Sequence, residues 1–416
     1  MRNWLKILCA IVALMVASIA GAATDSVPKP LTVSLITCYP GPDVYALCGH
    51  TAIRIRSEKM DSVWNYGMFD FSQDDLIYRF VKGETDYMLG AYPFEWFMPE
   101  YVRRGSKVVE QELNLSQPEA RRLLEMLRRE ALPKNCIYRY NYVKDNCATR
   151  PMERIDSAAS SQILLPETVK YGTFRREMRH YHANYPWYQF GIDLVLGSGL
   201  DYELSPREEM FVPVEMMERL DKARYDDGRP VVSRTNVLYE GRGQAVYPPT
   251  PWYLTPLFWG WIVFAGAVVC AIVDIRRRRP TKIVYSLYWA LTGVAGLIVW
   301  FLVLYSSHEA TSPNNLRWWL NPLMLIAAVT VWWHRARYVT DVFAIYQAIC
   351  SLILLIIWPL QPQSGNPAVF PLLGAAAVLC ASYAIICVLG SYNIEATTAI
   401  PPARKRKAPP QKRRKA

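Results

Sequence analysis

The chain has 416 residues, room for about two or three domains, and its 52% hydrophobic content with a mean hydropathy of +0.03 averages a water-soluble part and a membrane part. Its net charge of +11, from 47 basic and 36 acidic residues, is concentrated at residues 276–279, at Arg335 and Arg337, and in the last residues of the chain. Those clusters flank apolar runs, so they read as the positive-inside residues of a multispanning protein and argue against a nucleic-acid partner.

Residues 1–23 read as a secretory signal: Arg2 and Lys6 are basic, 8–19 form an apolar core, and Ala20-Gly21-Ala22-Ala23 is a small-residue cleavage site. Retention as an uncleaved anchor is the alternative, and on either reading the following segment is exported. Cys9 lies inside the apolar core, not after a small residue at its end, so it is not placed for lipid attachment.

Residues 24–250 mix charged and apolar segments as a folded exported domain does, ending at the Pro248-Pro249-Thr250-Pro251 boundary. Residues 31–37 alternate and are β-branched, which predicts a strand before a turn at Pro40-Gly41-Pro42-Asp43. Residues 51–56 and 62–66 predict two strands joined by a polar turn, and 107–115 a further strand. Residues 117–131 predict a helix, with Ser116 and Glu119 as a capping box and Leu123, Leu124 and Leu127 at helical spacing. An extended stretch at 137–143 and a helix at 147–155 complete an α+β domain.

Two residues carry the chemistry. In Asn141-Tyr142-Val143-Lys144-Asp145-Asn146-Cys147-Ala148-Thr149-Arg150, Asn146 is placed to cap a helix whose first turn holds Cys147. Free N–H groups and the positive dipole end there favour a thiolate. A histidine must then accept and return the proton. His50, at a strand start after Gly49, is the best placed of the five histidines. Asn65 on the next strand, or Asp70, is placed to orient the ring. His180 and His182 suit solvated or aromatic-packed positions better. The competing reading of the thiols is structural: Cys38, Cys48, Cys136 and Cys147 are an even set in an oxidising compartment, and Cys38 with Cys48 closes a short loop. No close Cys-x-x-Cys or His-x-x-x-His spacing suggests zinc, and no cofactor is expected.

Residues 251–391 contain five apolar segments, 252–273, 283–305, 318–333, 342–360 and 367–389, near the roughly twenty residues that cross a bilayer. Basic flanks after the first, third and fifth put those ends and the tail 392–416 in the cytoplasm, and the exported domain outside. The third segment is short, starts near Arg317, contains Asn321 and Pro322, and follows His308, Asn314 and Asn315. Polar groups at that depth face protein or water. They are candidates to meet a lipid headgroup, with an ordinary interfacial loop as the alternative.

Gly49-His50-Thr51-Ala52-Ile53-Arg54, Trp64-Asn65-Tyr66-Gly67-Met68-Phe69-Asp70-Phe71 and Asp145-Asn146-Cys147-Ala148-Thr149-Arg150, followed by Tyr185-Pro186-Trp187, Asp193-Leu194-Val195-Leu196-Gly197 and the membrane half, resemble the Lnb family of bacterial lipoprotein N-acyltransferases. The resemblance implies a circularly permuted papain-like (NlpC/P60-like) exported domain joined to five membrane helices at the bacterial inner membrane. It implies acyl transfer from a phospholipid to the α-amino group of a diacylated lipoprotein. Cys147 is then the nucleophile, with His50 and Asn65 as its partners. Asn146, Arg150, His308, Asn315 and Asn321 are assigned to substrate. One departure is Pro151, which has no N–H for the Cys147 carbonyl and shifts the helix start. The alternatives are a cell-wall peptidase or amidase, and a noncatalytic envelope scaffold with a disulfide-bonded Cys147.

Overall fold

The computed structural model describes residues 30–69, 75–242 and 248–398. The signal segment, Asp70 and positions 399–416 of the basic tail lie outside the described residues. The chain divides into two compact units: 1–74, 85–170 and 205–246 form one, and 75–84, 171–204 and 247–416 the other.

The strands of the first unit are β1 (Thr32–Cys38), β2 (His50–Ser57), β3 (Met60–Met68), β4 (Asp86–Pro93), β5 (Val108–Leu113), β6 (Ile137–Arg139), β7 (Ile163–Leu164), β8 (Arg224–Tyr225) and β9 (Val232–Tyr239). Seven of them form an antiparallel sheet of order β6-β4-β3-β2-β1-β5-β9, while β7 and β8 pair separately. Alternation sends Val33, Leu35, Ile53, Ile55, Trp64 and Tyr66 to one face. There they pack on Leu123 and Leu127 of the helix Gln117–Glu130, Met152 and Ile155 of Thr149–Ala158, and Met216 and Leu220 of Pro213–Lys222. Ile36, Cys38, Ala52 and Val63 face the other way, onto Phe97 and Tyr101 of the helix Phe94–Arg104. With both faces covered, a one-residue slip would exchange the two rows between differently packed layers, so the register that sets Cys38 opposite His50 is strongly specified.

The predicted capping box is present: the Ser116 N–H donates to Glu119 Oε2 at 2.7 Å. The second carboxylate oxygen accepts from the Ser160 N–H at 2.7 Å, so one buried side chain ties a helix start to a distant loop.

Among the described residues of the second unit, four helices are long and apolar enough to cross a membrane: Pro256–Arg277, Lys282–Leu304, His334–Leu360 and Val369–Cys387. The expected five-helix count is corrected at the third segment, where residues 318–333 contain only the seven-residue helix Met324–Thr330 after the 3-10 turn Asn315–Trp318. Asn321 and Pro322 break the run: the Asn321 side chain accepts from the Leu323 N–H at 3.0 Å, and proline cannot donate. Gly293 and Gly296 admit this broken segment, since a Cβ at Gly296 would lie 2.7 Å from the Asn321 backbone. The last helix, Val369–Thr398, runs beyond 391 into the expected tail.

Candidate active site

His50 opens β2 because the residue before it reverses the chain. Gly49 has φ +80°, and a Cβ there would lie 2.4 Å from the Cys38 carbonyl oxygen, so only glycine fits this entry. Across the sheet, β3 carries Asn65. His50 Nε2 lies 2.5 Å from Asn65 Oδ1, and Asn65 Nδ2 donates to the Tyr92 hydroxyl at 2.8 Å. An amide whose nitrogen is already donating presents its oxygen to the ring, so Nε2 carries the hydrogen and Nδ1 remains for another partner. Tyr101 stacks on the imidazole with planes 13° apart and fixes its tilt.

That other partner is the thiol of Cys147, which hydrogen-bonds to His50. The loop before it is held by Asn146, which is buried. Asn146 Oδ1 accepts from the N–H groups of Ala148 at 2.8 Å and Thr149 at 3.0 Å, while Nδ2 donates to the carbonyls of Tyr142 at 2.8 Å and Phe211 at 2.9 Å. Asn146 thus closes the turn before the helix and its polar atoms are engaged by the fold, but the residue at the helix start is Ala148, not Asn146 as the sequence predicts. The helix itself begins at Thr149, two residues later than the expected 147, with Pro151 in its first turn. Cys147 therefore precedes the first helical residue.

Burial alone would push the Cys147 thiol up, but the His50 imidazole and the N–H groups of Thr51 and Cys147 outweigh it and hold the thiol below its ordinary value. Burial alone would likewise lower His50, and the adjoining sulfur and Asn65 outweigh it and raise the imidazole. Both directions favour a thiolate–imidazolium pair. Gly67, at φ +93°, lets the β3 backbone pass close by: a Cβ there would sit 3.5 Å from Cys147 Cβ and 3.8 Å from His50 Cε1.

Aromatic rings wall this pair, a feature that sequence reasoning misses. Tyr87 and Tyr140 stack with centroids 4.1 Å apart, and Phe69 packs on Tyr87 at 4.9 Å. Burial first, and then the Cys147 sulfur, raise the phenols of Tyr87, Tyr138 and Tyr140. The alternating Tyr138-Arg139-Tyr140-Asn141-Tyr142 is the signal that could have found them. Arg150 is committed to Asp145, with Nη2 2.7 Å from Oδ2, and lies over the Tyr138 ring at 3.7 Å.

The eight described cysteines are thiols rather than halves of disulfides. Cys38 is buried against Tyr101, and burial raises its thiol, so it is not a second thiolate. Cys48 lies 3.3 Å from the Tyr142 hydroxyl. Among the described residues no group of three or more His, Cys, Asp or Glu is arranged to hold a metal.

His308, Asn315 and Asn321 belong to the other unit. His308 Nε2 contacts the Phe80 carbonyl at 2.8 Å, Asn315 bonds to the Gln361 and Gln363 side chains, and Asn321 is buried beside Tyr346. All three serve contacts within that unit. His180 packs between Tyr171 and Tyr181, and His182 is buried against Tyr188, as aromatic-packed positions.

Comparison with known families places two matches on the chain. Residues 23–178 match the Lnb N-terminal periplasmic domain, and residues 249–390 match the Lnb transmembrane domain. No curated protein and no solved structure matches. The protein therefore has a periplasmic amino-terminal domain and a membrane domain, and with both parts matched in order the chain belongs to the Lnb family.

Proposed function

We propose that this protein is a membrane-bound thiol acyltransferase that moves an acyl chain from a phospholipid to the α-amino group of a diacylated lipoprotein. The observation that carries the proposal is a thiol held below its ordinary pKa, hydrogen-bonded to a histidine that Asn65 orients. Family membership supports a lipoprotein-modifying enzyme of the membrane.

In the first half-reaction the Cys147 thiolate attacks the ester carbonyl carbon of the phospholipid. The carbon–oxygen bond breaks, His50 gives its proton to the departing oxygen, and a lysophospholipid leaves a thioester on Cys147. The Cys147 and Thr51 N–H groups, directed at the sulfur in the resting site, are near enough to stabilise the oxyanion on the adjoining carbon. In the second half-reaction a neutral lipoprotein amine attacks the thioester. The carbon–nitrogen bond forms, the carbon–sulfur bond breaks, and the amine proton passes to His50. Thiolate and imidazolium are thereby restored. Water must be kept from the thioester, or the cycle ends in lipid hydrolysis; the Tyr87–Tyr140–Phe69 wall supplies apolar cover beside the sulfur.

We read the exported domain as a permuted papain-like fold, supported by a histidine on a strand that precedes, in chain order, a cysteine before a helix. We also assign the domain to the periplasmic side of the inner membrane and the tail to the cytoplasm. If residues 276–279 and Arg335 are cytoplasmic, the short helix Met324–Thr330 and its flanking turns carry the chain across the membrane.

The test is the acylation state of lipoproteins in cells that depend on this chain. Cys147→Ala and His50→Ala each leave diacylated lipoproteins by mass spectrometry, and triacylation at the parent level in either variant rejects the proposal.

A further inference from the structure

The second unit contains a cleft of about 260 Å³ that the transfer chemistry does not use. Its walls include His182 and Gln189, Thr255 and Leu257 at the start of the apolar helix Pro256–Arg277, and Asn366 and Pro367 just before the last helix. It lies at the helix end opposite Arg276 and Arg277, which the positive-inside rule places on the outer side. Trp252 and Tyr253, both exposed, stand immediately before that helix, as interfacial aromatics do.

His182 is 0% exposed and Gln189 6%, and His182 Nδ1 lies 2.7 Å from Gln189 Oε1. An amide oxygen only accepts, so Nδ1 carries the hydrogen. Burial holds this imidazole below its ordinary pKa. The ring is therefore neutral, and Nε2 keeps a bare lone pair. Gln189 Nε2 keeps two donor hydrogens. Neither nitrogen has a hydrogen-bond partner among the described residues. Buried polar groups are nearly always paired, and two unpaired nitrogens on side chains that line one cleft point to a ligand that pairs them. The complementary ligand offers a donor to His182 beside an acceptor for Gln189.

We propose that this cleft binds a phospholipid headgroup that carries its own N–H or O–H donor next to the phosphodiester, as phosphoethanolamine and phosphoglycerol do. The headgroup ammonium or hydroxyl donates to His182 Nε2, and a phosphodiester oxygen accepts from Gln189 Nε2. A phosphocholine nitrogen has no hydrogen and leaves His182 unpaired. The cleft is smaller than the roughly 300 Å³ at which pockets for drug-sized ligands begin, a size for a headgroup rather than an acyl chain. The inference rests on the reading of phospholipid as substrate for its choice of ligand, but not on the transfer chemistry.

The test uses the full chain with Cys147→Ala, in which transfer is off, and native mass spectrometry of the detergent-solubilised protein. Phosphatidylethanolamine, phosphatidylglycerol and phosphatidylcholine with identical acyl chains are compared. The expected result is retention of the first two about fivefold above the third, the scale of one or two hydrogen bonds. Gln189→Met, apolar and of similar length, removes the preference in a protein that still elutes as a single folded species, and His182→Phe does the same. Equal retention of the three lipids by the parent chain overturns the proposal, as does an unchanged preference in both variants. Soluble glycerophosphoethanolamine displaces the bound lipid if the headgroup is what is read. Displacement by a diacylglyceryl-cysteine peptide but not by that headgroup overturns it in favour of an acceptor site. Binding in this pattern by the Cys147→Ala chain, with no acyl adduct on Cys147 of the unsubstituted chain, separates the failure of transfer from that of the headgroup site.

Discussion

The His50 ring and the Asn65 amide are joined by a 2.5 Å contact from Nε2 to Oδ1, and Asn65 is itself held by the Tyr92 hydroxyl. This chain fixes which imidazole nitrogen faces Cys147. Replacing Asn65 with alanine leaves the thiol in place but frees the ring to rotate and change tautomer. Transfer in vitro is expected to slow by about 10- to 100-fold, less than the loss of the base itself, while Tyr92→Phe slows it only a few-fold. A parent-like rate for Asn65→Ala in a folded protein contradicts the orienting role.

The opposed shifts of Cys147 and His50 have a defined pH signature. The thiol ionises at lower pH than usual and the imidazole stays charged to higher pH than usual, so both shifts raise the share of the ion pair. Iodoacetamide labelling of Cys147 at pH 7 is therefore expected to be faster than for an ordinary thiol, with the midpoint of its pH profile moved to lower pH. In His50→Ala the ordinary thiol range near 8.5 or above returns, and labelling at pH 7 slows by about tenfold or more. Identical pH profiles for the two proteins would remove the basis for an activated thiol.

Gly67 links backbone conformation to the dyad. Its φ of +93° disfavours any side chain, and the added Cβ would enter contact with Cys147 and His50. Gly67→Ala is expected to cost about 1 to 2 kcal/mol in stability and to slow Cys147 labelling at pH 7. Thermal unfolding and labelling rate together check this; neither changing contradicts the close packing.

Much of this site is legible in the amino-acid sequence. The register-setting strands 31–37, 51–56 and 62–66 are legible from their β-branched, alternating residues even though the fold buries both rows of β1 and most of β2, and they carry His50 and Asn65 to neighbouring positions. Asn146 is readable as a turn-former ahead of a helix because short polar side chains bond nearby backbone N–H groups, although the helix-start position itself falls to Ala148. Other parts are silent for physical reasons. The edge strand β9, Val-Ser-Arg-Thr-Asn-Val-Leu-Tyr, is largely exposed and so lacks a buried row to alternate. Helix Phe94–Arg104 contains Pro99, which reads as a breaker. The third membrane segment is apolar enough to resemble one continuous spanning helix, and the Asn321-Pro322 pair, seated against Gly296, interrupts it. Read from the sequence, Arg150 is assigned to substrate, yet Asp145, five residues earlier, takes its guanidinium. Spacing along the chain does not reveal such a pairing in a turn.

Glu119 gives the periplasmic domain an acid-sensitive tie. Burial alone would raise its carboxyl, but the N–H groups of Ser160 and Ser116 lower it to about 2. A carboxylate depressed in the folded state stabilises the fold above its unfolded value near 4.3 and loses that contribution as pH falls through the folded value near 2. The contribution at neutral pH is on the order of 2 to 3 kcal/mol. Glu119→Gln is expected to unfold at lower denaturant at pH 7 and to differ much less from the parent at pH 2. A difference independent of pH contradicts the assignment.

The thioester on Cys147 is the central claim, and intact-mass measurement tests it directly. The purified full chain is incubated with phospholipid of one defined acyl chain and no acceptor. The predicted result is a mass increase of one acyl group, mapped to Cys147, released by neutral hydroxylamine and absent from Cys147→Ala. An active preparation that carries no acyl group on Cys147, or the same adduct in Cys147→Ala, contradicts it.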